Sequence, residues 1–184
     1  MTKTVPQGAI WREGNMKSKV IALIALSGYG KTELIKAVSG MSIGVVEVSS
    51  FTTRPREPRD KDGTYEFITC EELDRRLAAG LVVQHDKYGE NFYGNVQSQF
   101  DAIGTNIGIL AMTEPGARAL IALGYDVRIV KVVAVGATVR EGRPKADEGR
   151  VDHLQADVTI TNSFAPGGLN RAILDLVAFI TTAF

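Results

Sequence analysis

The sequence predicts an α/β fold in which helices cover both faces of a parallel five-stranded sheet. Three observations carry this reading. Apolar runs at 20–24, 45–48, 107–112, 127–135 and 157–161 alternate with helical stretches, the order that builds parallel strands with crossover helices. The first run, Val20-Ile21-Ala22-Leu23-Ile24, passes straight into Ala25-Leu26-Ser27-Gly28-Tyr29-Gly30-Lys31-Thr32 and then into a helical stretch, 33–38, stopped by Gly40. The alternation is interrupted at 51–95 by shorter elements, and at 136–153 by a polar stretch.

Strand, glycine turn, Lys-Thr and helix together form the context of a phosphate-binding loop. Glycine at 28 and 30 lets backbone N–H groups fold inward on phosphate oxygens. The helix N-terminus adds partial positive charge, Lys31 reaches the β and γ phosphates, and the Thr32 hydroxyl is suited to ligate Mg²⁺. Ser27, Gly28, Tyr29, Gly30, Lys31 and Thr32 are therefore assigned to a nucleoside triphosphate, with ATP and Mg²⁺ as cofactors. Position 25 is alanine where G-x-x-x-x-G-K-[ST] has glycine, so residue 25 has to stay in the β region.

The chain of 184 residues suits one domain with a substantial core. Lysine plus arginine equals aspartate plus glutamate at 21 each. Without a global basic footprint no nucleic-acid partner is expected, and phosphate recognition has to come from local arginines. A lone Cys70 excludes an internal disulfide and points to a reducing, cytoplasmic setting. No apolar run approaches the roughly eighteen residues of a membrane span, so no membrane partner is expected. Residues 1–17 read as a flexible N-terminal extension, tacked down by Trp11, ahead of a single domain at 18–184.

In chain order, the second strand (45–48) gives way to 51–64, which holds Arg54, Arg56 and Arg59 between prolines and almost nothing apolar. Composition alone makes this a solvated loop. Three arginines on a proline-stiffened segment just behind a phosphate loop also make an anion clamp. Residues 65–68 read as a short strand. Residues 70–79 read as an amphipathic helix ended by Gly80, with Leu73 and Leu77 inward and Arg75 and Arg76 outward. Residues 81–86 form another strand leading into a turn-rich stretch, 89–95, which makes 51–95 a small inserted subdomain. After the third core strand (107–112), a helix at 115–123 starts on Pro115 and stops at Gly124. The fourth core strand, 127–135, carries Arg128 and Lys131 and so reads as terminal or partly exposed. Residues 136–153 hold Arg140, Arg143 and Arg150, and a strand (157–161) and a helix (169–179) close the chain.

Four segments in this order resemble the guanylate kinase family of nucleoside monophosphate kinases over residues 18–182: Ser27 to Thr32; Val48-Ser49-Ser50-Phe51-Thr52-Thr53-Arg54 with Gly63-Thr64-Tyr65; Asn91-Phe92-Tyr93-Gly94-Asn95; and the late arginines before Asp157-Val158-Thr159-Ile160-Thr161-Asn162. The resemblance implies a P-loop three-layer fold with an acceptor-binding insert (51–95) and a short lid (136–153). It implies that Ser50, Arg54, Tyr65 and Tyr93 hold the phosphate of the acceptor nucleotide. Glu57 occupies the place of a second family arginine, with Arg56 and Arg59 on either side as substitutes. Lys31 and the lid arginines Arg143, Arg150 and Arg140 would carry positive charge to the moving phosphoryl group, and no catalytic base is needed.

The chain departs from the family where the base is read. Gln84 and Thr113 stand where two carboxylates accept from guanine, Asn95 where a hydroxyl faces the base carbonyl, and Ala111 where an aspartate lies near the metal. A mixed donor and acceptor pocket suits adenine, or a uracil- or thymine-like edge, better than guanine. The implied activity is ATP-dependent phosphorylation of a nucleoside, by expectation a deoxynucleoside, 5′-monophosphate by a monomer or homodimer. A ribose-phosphate kinase and a non-catalytic binding module of the same superfamily are the alternatives.

Overall fold

A computed structural model describes residues 17–58, 60, 62–136, 151 and 153–184. The five-stranded sheet is parallel throughout, in the order β2-β7-β1-β8-β9, with β1 Lys19–Ile24, β2 Val45–Glu47, β7 Ile107–Ala111, β8 Asp126–Val135 and β9 Val158–Ser163. In β1 the residues from Val20 onward are buried on both faces, as a continuous apolar strand between two helical layers has to be. On one face Ile21, Leu23, Ile109, Val130 and Ile160 pack against α1 (Lys31–Ser39) and α5 (Gly168–Ala183) through Leu34, Val38, Ala172 and Leu176. On the other face Val20, Ala22, Leu110 and Ile129 pack against α4 (Glu114–Ala122) and Phe100 of α3 (Gln97–Asp101). β8 lies between β1 and β9, not at an edge. The side chains of Arg128 and Lys131 are only half-buried, and Arg128 runs out to the carbonyl of Ala183 at 2.9 Å, so an interior strand tolerates them.

A second, four-stranded sheet, β4-β3-β6-β5, is built from the chain between β2 and β7 in sequence. It consists of β3 (Ser50–Thr52), β4 (Tyr65–Phe67), β5 (Val82–Tyr88) and β6 (Asn91–Val96), backed by α2 (Cys70–Ala78). Three expectations change here. Residues 50–52 are strand, not loop, because Phe51 and Thr52 are fully buried. The stretch 91–95 is half of a hairpin with β5, not a run of turns. In α2, Leu77 is exposed while Arg76 turns inward to bridge Glu66 at 2.9 Å and Glu72 at 2.6 Å, tying the helix to β4. Lys17 reaches the carbonyl of Leu123 and packs 4.9 Å over Tyr125. Among the described residues no helix is long and apolar enough to cross a membrane.

Candidate functional site

The chain leaves β1 at Ile24 and reverses into α1 through Gly28 and Gly30, whose φ angles of 81° and 86° lie in the left-handed region. Ala25 has negative φ, as the alanine there requires; Ser42 is the one non-glycine with positive φ among the described residues. No side chain caps α1, so the N–H groups of its first turn face the loop. Lys31 folds back over the loop, donating to the carbonyls of Ala25 at 2.8 Å and Leu26 at 3.1 Å. Asn162, on β9, donates to the carbonyl of Tyr29 at 3.0 Å, and its amide occupies the space a Cβ on residue 30 would need.

The loop opens onto a cleft of about 410 Å³ between the two sheets. Ser27 and Lys31 line one side; Ser50, Tyr65 and Tyr93 line the other; Gln84, Met112, Thr113 and Pro115 form the wall farther along. Tyr65 and Tyr93 meet edge to face at 5.9 Å, and burial first, then Tyr93, raises the Tyr65 phenol above its ordinary range. Thr32 faces a smaller adjoining recess shared with Glu47, Ser50, Thr64 and Ala111.

Arg54 stands beside this wall, its guanidinium 5.9 Å from the Tyr65 ring and 5.7 Å from Phe67. The group is held at 2.7 Å by Asp60, which dominates the upward shift of its pKa, and at 3.1 Å by Glu57. Arg56 is largely exposed, pairs with Asp62 and lies outside the cleft. Arg59, Arg140, Arg143 and Arg150, together with residues 1–16, lie outside the described residues.

The base-reading expectations change most. Asn95 is fully buried and does not line the cleft. Its Nδ2 donates to the carbonyl of Ser49 at 2.8 Å and to Gln99 Oε1 at 3.1 Å, which fixes which way the amide points. Its Oδ1 therefore faces Gln84 and accepts from Gln84 Nε2 at 2.6 Å. With that donor engaged, Gln84 offers its Oε1, which lies against Gly116 and Thr113 at the first turn of α4. Gln84 thus has one N–H committed to Asn95 and keeps its Oε1 and its second N–H, still a mixed donor and acceptor. Thr113 is the N-cap of α4: its Oγ1 accepts from Gly116 N at 3.2 Å, and the residue lines the cleft.

The sequence reading did not single out Asp86 and Glu114, which bring two more carboxylates to the cleft lining. The signal for Asp86 was present in the sequence. On a strand, residue 86 shares the face of residue 84.

A model of the guanylate kinase family matches residues 17–150. The guanylate kinase of Thermotoga maritima is 37% identical over 84 residues, 45% of this chain and 41% of that one. That of Symbiobacterium thermophilum is 32% identical over 108 residues, 56% and 51% of the two chains. That of Neisseria meningitidis serogroup A is 28% identical over 137 residues, 74% and 57%. The chain spans about half the length of these curated relatives. The crystal structure of guanylate kinase from Anaplasma phagocytophilum superimposes with a TM-score of 0.67 at 20% identity, covering 92% of this chain and 87% of that one, a likeness of fold.

Proposed function

The chain belongs to the guanylate kinase family, and we propose that its cleft transfers the γ-phosphoryl group of ATP to a nucleoside 5′-monophosphate. The observation that carries this reading is that one cleft is bordered by the glycine loop with Lys31 on one side and by Ser50, Tyr65 and Tyr93 on the other. Phosphoryl transfer demands little beyond this: two phosphates held in line, and positive charge where negative charge gathers. Lys31, mobile on its four-carbon stem, exchanges the carbonyls of Ala25 and Leu26 for phosphate oxygens. The Tyr65 phenol, held neutral, donates to the acceptor phosphate, and the Arg54 fork, 5.9 Å from that ring, adds charge beside it.

Among the described residues no cluster of three or more His, Cys, Asp or Glu is placed to hold a metal. That fits Mg²⁺, which takes one or two protein oxygens and completes its shell with water and substrate phosphates. Thr32 would supply the hydroxyl, and Glu47 is the acid that shares its recess beside Ala111. When bound, Mg²⁺ neutralises charge on the β and γ phosphates. The lid role of Arg140, Arg143 and Arg150, the 51–95 insert as acceptor-binding unit and a cytoplasmic setting complete the proposal.

The acceptor is a nucleotide, its ribose or deoxyribose form left to assay, and guanine is not its favoured base. The experiment is a coupled ADP-release assay with ATP and Mg²⁺ against ribo- and deoxynucleoside monophosphates. Release that depends on one of them supports the reading. Release with none of them, or only with a ribose phosphate, overturns it.

A further inference from the structure

We infer that two carboxylates share the Arg54 guanidinium unequally: Asp60 holds it in place, and Glu57 stands on the edge that the acceptor phosphate takes over. The inference rests on the proposed role of Arg54 at the acceptor phosphate. The Arg54 Nη2 donates to Asp60 Oδ1 at 2.7 Å, while Nη1 donates to the Pro55 carbonyl at 2.9 Å and lies 3.1 Å from Glu57 Oε1. The Asp60 side chain is 8% exposed and that of Glu57 39%, so water reaches one ion pair far more than the other. Asp60 is also bound into the turn. Its Oδ2 accepts from the Glu57 N–H at 2.6 Å, and its own N–H donates back to the Glu57 carbonyl at 3.0 Å.

These differences give the two acids different roles. Withdrawing Asp60 from Arg54 opens a turn and leaves a desolvated carboxylate behind, which costs far more than parting an exposed pair. The guanidinium is planar and rigid, so anchoring it at Nη2 fixes the direction of Nη1. It sits 5.9 Å from the ring of Tyr65 and 5.7 Å from that of Phe67, and Asp60 first, then Tyr93, raises its pKa. Tyr65 and Tyr93 line the cleft, so the fork reaches the place where the acceptor phosphate is bound. A phosphate monoester brings close to two negative charges and three oxygens, against the single charge of Glu57. With both on the same edge, like charges lie side by side. The phosphate therefore displaces Glu57 from Nη1 while Nη2 stays on Asp60. Glu57 is a competitor built into the loop, and Asp60 a positioning residue that acts through Arg54.

The test uses the full chain with ATP, Mg²⁺ and whichever of AMP, GMP, CMP and UMP has the highest kcat/KM. Glu57→Gln, which keeps shape and loses charge, should lower the monophosphate KM by about three- to tenfold, and Asp60→Asn should raise it by about tenfold or more, each with the KM for ATP changed by less than about twofold. In an Arg54→Ala background Glu57→Gln should change the monophosphate KM by less than about twofold, since no guanidinium is left to compete for. A Glu57→Gln variant whose monophosphate KM rises or does not move gives Glu57 a structural role and overturns the inference. So does a fall of the same size without Arg54, or an Asp60→Asn variant that shifts both KM values equally. If Asp60→Asn does not fold, the exposed Glu57→Gln decides alone. Calorimetric titration with the same monophosphates separates the two readings when no ADP forms: tighter binding to Glu57→Gln than to the wild-type chain keeps the exchange and overturns phosphoryl transfer, and binding that is equal, weaker or absent overturns both. Turnover with no fall in KM leaves phosphoryl transfer standing and removes the exchange.

Discussion

The side-chain amide of Asn162 donates to the carbonyl of Tyr29 at 3.0 Å, tying edge strand β9 to the loop ahead of α1 across 133 positions of sequence. The same amide fills the space beside Gly30, so strand and loop hold each other in place. Asn162→Ala should leave the carbonyl unsatisfied and the loop less confined. We expect a loss of about 1–2 kcal/mol in denaturant unfolding and a KM for ATP raised several-fold, with the monophosphate KM little changed. Equal KM effects on both substrates would show that the contact is only structural.

Lys31→Ala should leave a folded protein, because Lys31 contributes two carbonyl contacts at the loop and nothing to the core. Its charge is needed as negative charge shifts toward the β–γ bridge, so kcat should fall by about a hundredfold or more. Turnover near wild type would remove the loop from the mechanism.

Arg54→Ala should act on the acceptor. Loss of a charge-assisted contact of roughly 2–3 kcal/mol corresponds to a monophosphate KM raised by about 30- to 150-fold, with the KM for ATP far less affected. The variant should also melt lower, because Asp60, largely buried, loses its partner at 2.7 Å. An acceptor KM that does not move would confine Arg54 to the Asp60 clasp.

Restoring carboxylates to the base wall should need three changes, not two. Gln84→Glu alone sets an anion against Asn95 Oδ1, and Asn95 cannot turn over without giving up the Ser49 carbonyl. We expect that single variant to lose about 1–3 kcal/mol of stability. Combining it with Asn95→Ser and Thr113→Asp should recover most of the loss, Asp keeping the α4 cap, and should move kcat/KM toward GMP by about tenfold. A preference of the wild-type chain for GMP or dGMP over every other base would refute the reading of this wall.

One pH effect has a definite sign. Hydrogen bonding to Arg76 holds the Glu66 carboxyl below its ordinary value. A depressed folded-state pKa adds stability that is fully present above the unfolded carboxylate value and is lost as pH falls through the lower, folded one. Glu66→Gln should therefore flatten the decline of the urea midpoint between about pH 5 and pH 3. A decline as steep as the wild type's would mean that the Arg76 bridge between α2 and β4 does not link folding to this proton.

The sequence by itself determined the parallel sheet, the order of its strands and helices, and the phosphate loop. Each depends on neighbours in sequence: an apolar run long enough for a buried strand, two glycines where the chain reverses, and Lys31-Thr32 opening a helix. It misplaced what depends on a partner strand. Whether 127–135 lies inside or at the rim is set by β9, which pairs with it from Val158 onward, and not by Arg128 or Lys131. Phe51 and Thr52 are strand because β4 and β6 flank them. In the site, residue types at 84, 95 and 113 were legible, but their chemistry was not, because an amide becomes donor or acceptor only when its surroundings take one end. Here the carbonyl of Ser49, brought to Asn95 by the pairing of β3 with β6, orients Asn95, whose Oδ1 then takes one N–H of Gln84. Only the tertiary structure placed Asp86 in the same cleft as Lys31, since β5 reaches it through a hairpin far from the loop in sequence.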